Sequence, residues 1–419
     1  MKNLLIDGFL SSVFAAESII GTRAIIHGPG GCSDYLTRIS ATVVPRDHKV
    51  IKGPFFFNNP RVPCTFIDEE DYVNGADYKM TELLDRIDDS DLCVIIQSPG
   101  MSLIGDDLIG ATARSSFKGF TVVMENCHMS EPAHVGYDVT ISEIVKGICD
   151  KSVKTKGKVN IIGLPVIIHG WETTLKELET YLDSMGLELC AAVGAGCSVS
   201  DLLESTKAEF NISVIPEYCR TTSDVYDMLG VPTVFTEIPI GFENTRKWIC
   251  SVAEAAGRDP EPALNILRKS ELRSKRLLEG SSMKGFSTRC ATYSINIDSE
   301  LVLPLMEWLY RYLFMFPESV CFRDWWPQEF RDKVIGFLEN INRAEVASAD
   351  FDSTKVDVMF TDGISVELMY KKGICSAGID MWMPSRHTLP FVEKPILGAK
   401  GALRILDDVF YLIQRGMYH

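Results

Sequence analysis

The stretch Arg23-Ala-Ile-Ile-His-Gly-Pro-Gly-Gly-Cys32 decides the fold. A short apolar, β-branched run breaks into a glycine-rich turn, after which helical periodicity begins. A buried strand of a parallel sheet hands the chain to its crossover helix in this way. The pattern recurs. Leu92–Gln97 and Thr121–Met124 predict further strands of the same unit. A second set, Val159–Leu164, Leu187–Ala192, Ile212–Ile215 and Thr233–Thr236, follows a Lys-rich, loop-like stretch at 151–158. Between them, Thr173–Met185 places Leu175, Leu178 and Leu182 on one helical face. Residues 260–285 read as a basic helix broken at Gly280-Ser-Ser282, leading to a third unit. That unit has strands at Thr292–Ile297 and Val356–Phe360, a helix from about Ser299 and a closing helix at about 400–415. The expectation is an α/β chain of three Rossmann-like parallel-sheet domains, at 1–155, 156–275 and 276–419.

A chain of 419 residues exceeds what one hydrophobic core usually serves, which agrees with several domains. Its net charge of −15 argues against a nucleic-acid binder, which needs a basic stripe. No charge-free run is long enough to span a membrane, and Asp7 and Glu17 spoil the opening residues as a secretory signal. The expected location is the cytoplasm. There, 12 cysteines point to burial, metal binding or catalysis rather than disulfides. None of them forms a C-x-x-C pair, so any metal centre is assembled from cysteines far apart in sequence.

Ligands of doubly wound sheets bind beyond the carboxyl ends of the strands. Gly31 and Cys32 stand there, with Cys32 at a helix start whose dipole favours a thiolate. Ser98-Pro-Gly100 and Ile104-Gly-Asp106-Asp107 follow the second strand, and Asn126-Cys127-His128 follows the third. Cys64 lies in an irregular stretch, Pro60-Arg-Val-Pro-Cys64. Taken singly, the glycine turn equally suits a phosphate, and Cys64 reads as structural. Cys93, Cys149, Cys190, Cys250, Cys290, Cys321 and Cys375 read as core, and His134 and His387 as surface or capping residues. There is no G-x-x-x-x-G-K-[ST] sequence for ATP hydrolysis and no G-x-G-x-x-G turn for a dinucleotide.

In order, His27-Gly-Pro-Gly-Gly-Cys32, Cys64-Thr-Phe-Ile-Asp-Glu-Glu-Asp-Tyr-Val-Asn-Gly75, Ile104-Gly-Asp-Asp107 and Pro239-Ile-Gly241 resemble component 1 of nitrogenase and its relatives. Asp298-Ser-Glu-Leu-Val-Leu-Pro304 and Pro395-Ile-Leu-Gly-Ala-Lys-Gly-Ala-Leu403 extend the resemblance over essentially the whole chain. It implies three domains around a central cleft, a dimer of similar subunits and an iron–sulfur cluster held by loops of the first domain. It also implies a separate ATP-hydrolysing iron protein as electron donor and a substrate between the domains. Cluster-binding members commonly offer three cysteines. Here two positions hold Cys32 and Cys64, while the third holds Ser98, a poorer ligand for iron. Two thiolates from each of two subunits make the four that a [4Fe–4S] cluster needs. That pattern is nearest the tetrapyrrole-type reductive cyclases and favours a homodimer, with a heterodimer as the other arrangement.

Ser98, Cys127, Gly31 and Asp106 are then expected around the cluster, and Cys219 and His387 at the cleft. Cys219 comes three residues after the strand end where nitrogenase has its cofactor cysteine, so dinitrogen reduction is not expected. Two rivals to an ATP-dependent reductase component are a scaffold for metallocluster assembly and a binding protein that has lost its metal. The retained Cys32 and Cys64 disfavour the latter.

Overall fold

The computed structural model describes residues 6–43, 60–87, 90–283, 288, 290–382 and 392–416. Its strands form three parallel sheets, each drawn from one contiguous part of the chain. The first contains β1 (Thr22–His27), β2 (Leu92–Gln97) and β3 (Phe120–Met124), in that order. The second contains β4 (Lys158–Ile162), β5 (Glu188–Ala192), β6 (Phe210–Ser213) and β7 (Thr233–Val234), ordered β5-β4-β6-β7. The third contains β8 (Thr292–Ile295), β9 (Phe316–Val320), β10 (Val356–Thr361) and β11 (Cys375–Asp380), ordered β11-β10-β8-β9. The α/β expectation of three parallel-sheet units is thus met.

Side chains alternate across each strand, so a sheet covered on both faces needs apolar residues at consecutive positions. Ile25 and Ile95 face a small cluster with Met80, Leu84 and Leu108, while Ile26 and Ile96 enter the main core. That core is continuous from Leu10 through the second and third units to Val409. Among the described residues, no helix is long and apolar enough to cross a membrane.

Strands β9 and β11 are additions to the sequence reading. Both are edge strands. Phe-Pro-Glu-Ser-Val carries a proline, which an edge tolerates, and Cys-Ser-Ala-Gly-Ile-Asp has a single strong β-former, Ile379. The expected break at Gly280 does not occur. The helix Glu261–Met283 runs through it, since Gly280 meets no crowding and a helical glycine costs only about 1 kcal/mol. The core reading of the cysteines also needs correction: Cys250 and Cys290 are exposed, and Cys190 and Cys321 half-buried.

Several stretches that carry the resemblance meet in space. The Gly398 N–H donates to the Pro239 carbonyl at 2.7 Å. Buried Glu177 accepts from the Ala399 and Lys400 amides at 2.9 and 3.0 Å, holding the first turn of the closing helix Gly398–Gly416.

Candidate metal centre

Strand β1 ends at His27, and the chain turns through Gly28 and Pro29 into the helix Gly30–Val43. Residues 62–67 run beside that end: Ile26 N–H donates to the Pro63 carbonyl (2.9 Å), and Thr65 N–H to the Ile26 carbonyl (3.1 Å). This parallel bridge pairs Ile26 with Cys64. It brings Cys64, 32 residues downstream by sequence number, to the strand end from which the turn to Cys32 departs. Cys64 is buried and Cys32 half-buried.

Burial pushes both thiols up, which corrects the expectation that the helix dipole would lower that of Cys32. At Cys64 the Phe66 N–H and the Ser33 hydroxyl oppose burial, and both can donate to a thiolate sulfur. Metal uptake by such thiols releases protons.

Ser98 opens the turn after β2, and its N–H donates to the His27 carbonyl at 2.9 Å. Its hydroxyl is buried and has no hydrogen-bond partner among the described residues. A Cβ on Gly28 would stand 2.2 Å from that hydroxyl, so only glycine lets the two turns approach so closely. Phe66 has φ 52°, a left-handed conformation costing an aromatic residue about 1–3 kcal/mol. Strain of that size collects at functional sites, and here it lies two residues from Cys64.

His27, which the sequence reading passed over, is fully buried behind this pair. Its Nε2 lies 2.8 Å from Asp106 Oδ2, and its Nδ1 lies 3.2 Å from Thr65 Oγ1. Burial lowers the pKa of His27, with Asp106 pulling it the other way. Asp106 also accepts from the Ala76 N–H at 2.8 Å, and a Cβ on Gly75 (φ 80°) would come 3.0 Å from the same oxygen. Asp107 caps the next helix, Leu108–Arg114, accepting from the Gly110 N–H at 2.8 Å. Cys127 leaves β3, which β2 separates from β1, a span of about 10 Å between strand axes. The segments of this unit that follow also carry Phe66, Val73, Leu103 and Ile109, each more than 60% exposed.

The second place of interest is the junction of the three units. Ile6, Ala133, Ile167, Tyr218, Asp298, Asp362 and Trp382 line a cavity of about 10 Å³ there, room for about one water. The Tyr218 hydroxyl donates to Asp298, whose other oxygen is buried with no partner among the described residues. Burial pushes Asp298 up to about 6, against the Tyr218 hydrogen bond and the Arg323 charge. His134 is not the surface residue expected. It packs between Trp325 (ring centroids 5.0 Å apart) and Tyr218 (6.0 Å), and burial, aided by the Arg220 charge, lowers it to about 4. Cys219 does not line the cavity. Its thiol is buried against Gly163 and within reach of the Ile215 and Pro216 carbonyls. His387 lies outside the described residues.

This fold defines a class. The profile of the family described as nitrogenase component 1 type oxidoreductase matches residues 8–414, and the chain belongs to that family. It is therefore an oxidoreductase of the nitrogenase-like type. Members bind iron–sulfur clusters, form multimers and work with an iron-protein reductase.

Among its relatives, a subunit of the light-independent protochlorophyllide reductase of Heliobacterium modesticaldum is 23% identical over 425 residues, covering 96% of this chain and 76% of that protein. The subunit of the same name from Roseobacter denitrificans is 25% identical over 250 residues, covering 58% of this chain and 46% of that protein. The solved structure of nitrogenase Cp1 at pH 6.5 superposes with a TM-score of 0.79 at 14% identity, covering 100% of this chain and 95% of that one. That likeness is one of fold.

The residues present fit an iron–sulfur cluster. A half-buried thiol, Cys32, follows a turn where Gly31 has open space, a buried thiol, Cys64, pairs with the end of β1, and the buried hydroxyl of Ser98 lies against Gly28 without a partner among the described residues. Among the described residues, no three His, Cys, Asp or Glu side chains converge on one point.

Proposed function

We propose that this chain is the cluster-carrying component of an ATP-dependent reductase. Two chains, identical in the simplest arrangement, each bring Cys32 and Cys64 to one [4Fe–4S] cluster. A separate ATP-hydrolysing iron protein supplies the electrons. The observation that carries the reading is the bridge that sets Cys64 beside the strand end leading into the Cys32 turn, two of the four thiolates such a cluster needs. When bound, the cluster supplies one-electron transfer at low potential. The protein's part is to hold the two thiolates, to donate hydrogen bonds to sulfur from Phe66 N–H and Ser33, and to shield Cys64 from water. Exposed Phe66, Val73, Leu103 and Ile109 are the kind of apolar surface that a partner subunit covers.

The relatives' names point to an organic substrate of the tetrapyrrole class. The reading places it in the cleft between the three units. Anaerobically purified protein is expected to hold about four iron and four sulfide per two chains, lost in Cys32→Ala and Cys64→Ala. Stoichiometric zinc without acid-labile sulfide sinks the reading. ATP hydrolysis by the chain alone contradicts the division of labour.

A further inference from the structure

We propose that His27 and Asp106 are positioning residues of the cluster site, acting through a directional hydrogen-bond chain that sets where Cys32 and Cys64 stand relative to each other. The proposal rests on the reading that those cysteines hold the cluster.

The direction follows from donor and acceptor chemistry. An ionised Asp106 can only accept, so the His27 nitrogen 2.8 Å from it carries the ring proton. Burial favours the neutral ring, which leaves Nδ1 bare to accept from the Thr65 hydroxyl at 3.2 Å. Thr65 Oγ1 in turn accepts from the Gly28 N–H at 3.0 Å. The other oxygen of Asp106 accepts from the Ala76 N–H. The chain thus reads Gly28 N–H to Thr65 O–H to His27, His27 N–H to Asp106, and Ala76 N–H to Asp106.

It ties together every segment that builds the site. Gly28 opens the turn ending in Cys32, Thr65 adjoins Cys64, and Asp106 belongs to the turn after Ser98. The His27 ring is fully buried and the Asp106 side chain nearly so, hence water cannot substitute for a lost partner. The Asp106 carboxylate also adds negative charge behind the cysteines, which disfavours adding an electron to a nearby cluster.

Asp106→Asn tests this with shape preserved. An amide that donates to His27 forces the ring proton onto Nδ1, so the Thr65 hydroxyl loses its acceptor. An amide turned the other way sets its NH2 against the Ala76 N–H. Either way one buried donor is stranded.

The comparison uses full-length wild type, Asp106→Asn, Thr65→Val, Thr65→Ser and Cys64→Ala, purified anaerobically. Asp106→Asn and Thr65→Val are expected to fold yet hold at least two-fold less iron and sulfide, while Thr65→Ser, which keeps the hydroxyl, stays near wild type. Residual cluster in Asp106→Asn is expected at a higher midpoint potential, with altered electron paramagnetic resonance. In metal-free protein, nitrogen-15 NMR of labelled histidine, assigned with His27→Gln, is expected to show the Nε2–H tautomer at His27.

Wild-type iron content and potential in Asp106→Asn, or an Nδ1–H tautomer in the wild type, overturns the positioning role alone. A wild type lacking iron and sulfide, or a Cys64→Ala variant keeping both, overturns the cluster reading beneath it.

Discussion

Asp138 and Thr222 join the first unit to the second. The Asp138 carboxylate accepts from the Thr222 N–H at 2.9 Å and its hydroxyl at 2.7 Å, and from the Thr221 N–H at 2.7 Å. It therefore caps the helix Arg220–Met228 from another part of the chain, where Cys219 at the N-cap position gives no side-chain hydrogen bond. The same segment is held from the third unit, since Glu217 and Glu300 exchange backbone-to-carboxylate hydrogen bonds at 2.8 and 3.2 Å.

Asp138→Ala strands buried amides at that helix start, at a cost of about 2–4 kcal/mol. A lowered urea midpoint is expected, with Asp138→Asn recovering part of the loss through its one remaining acceptor. An unchanged midpoint in Asp138→Ala denies the cap its role.

Asp298 sets one arm of the pH profile. Its folded pKa of about 6 lies above the ordinary value of 3.8, so the folded chain prefers the protonated form. Stability from this group is present below pH 3.8 and lost as pH rises through 6, to the extent of about 3 kcal/mol. Asp298→Asn still accepts from Tyr218 and is expected to raise the urea midpoint at pH 8 but not at pH 4. A variant weaker than wild type at pH 8 shows that the Arg323 charge outweighs desolvation.

His134 sets the opposing arm. Its folded pKa of about 4 lies below 6.5, so the unfolded chain takes up a proton the folded one refuses. Stability is then lost as pH falls from 6.5 to 4, again by about 3 kcal/mol. Over pH 4–6 the two groups oppose each other and flatten the wild-type profile. His134→Gln removes the acid-side loss, and its midpoint relative to wild type is expected to rise as pH falls. A constant offset at every pH means that His134 does not titrate in this window.

Gly28 and Ser98 form a steric couple. Gly28→Ala sets a methyl 2.2 Å from the Ser98 hydroxyl and 2.7 Å from its Cβ, so the turns must separate. A loss of about 1–3 kcal/mol is expected, relieved in Gly28→Ala/Ser98→Gly, as a double-mutant cycle on thermal midpoints will show. Additive losses mean the strain is relieved elsewhere.

Ser98→Ala is expected to leave iron content nearly intact, whereas Ser98→Cys adds a third thiolate per chain and is expected to raise it. If Ser98→Ala strips iron as fully as Cys64→Ala does, serine is a ligand and two cysteines per chain do not suffice.

The sheets were legible because a parallel strand buried on both faces must be a continuous apolar run, as Leu92–Gln97 is. β9 and β11 were not, since an edge strand pairs on one side and its sequence is less constrained. Cys32 announced itself through the glycine turn. Cys64 was legible only through the ordered resemblance, because nothing local in Pro60-Arg-Val-Pro-Cys64 points to a ligand.

The sequence by itself determined the three α/β units and the family, because burial, periodicity and turn chemistry are written in residue types close together along the chain. What only the tertiary structure decided depends on groups far apart: the His27–Asp106 pair, the grip of Asp138 on Thr222, and the packing of His134 between Trp325 and Tyr218. A thiol, imidazole or carboxylate takes its chemistry from whatever surrounds it. Helix position alone predicted a lowered thiol at Cys32, and burial, which no local pattern reveals, pushed it the other way.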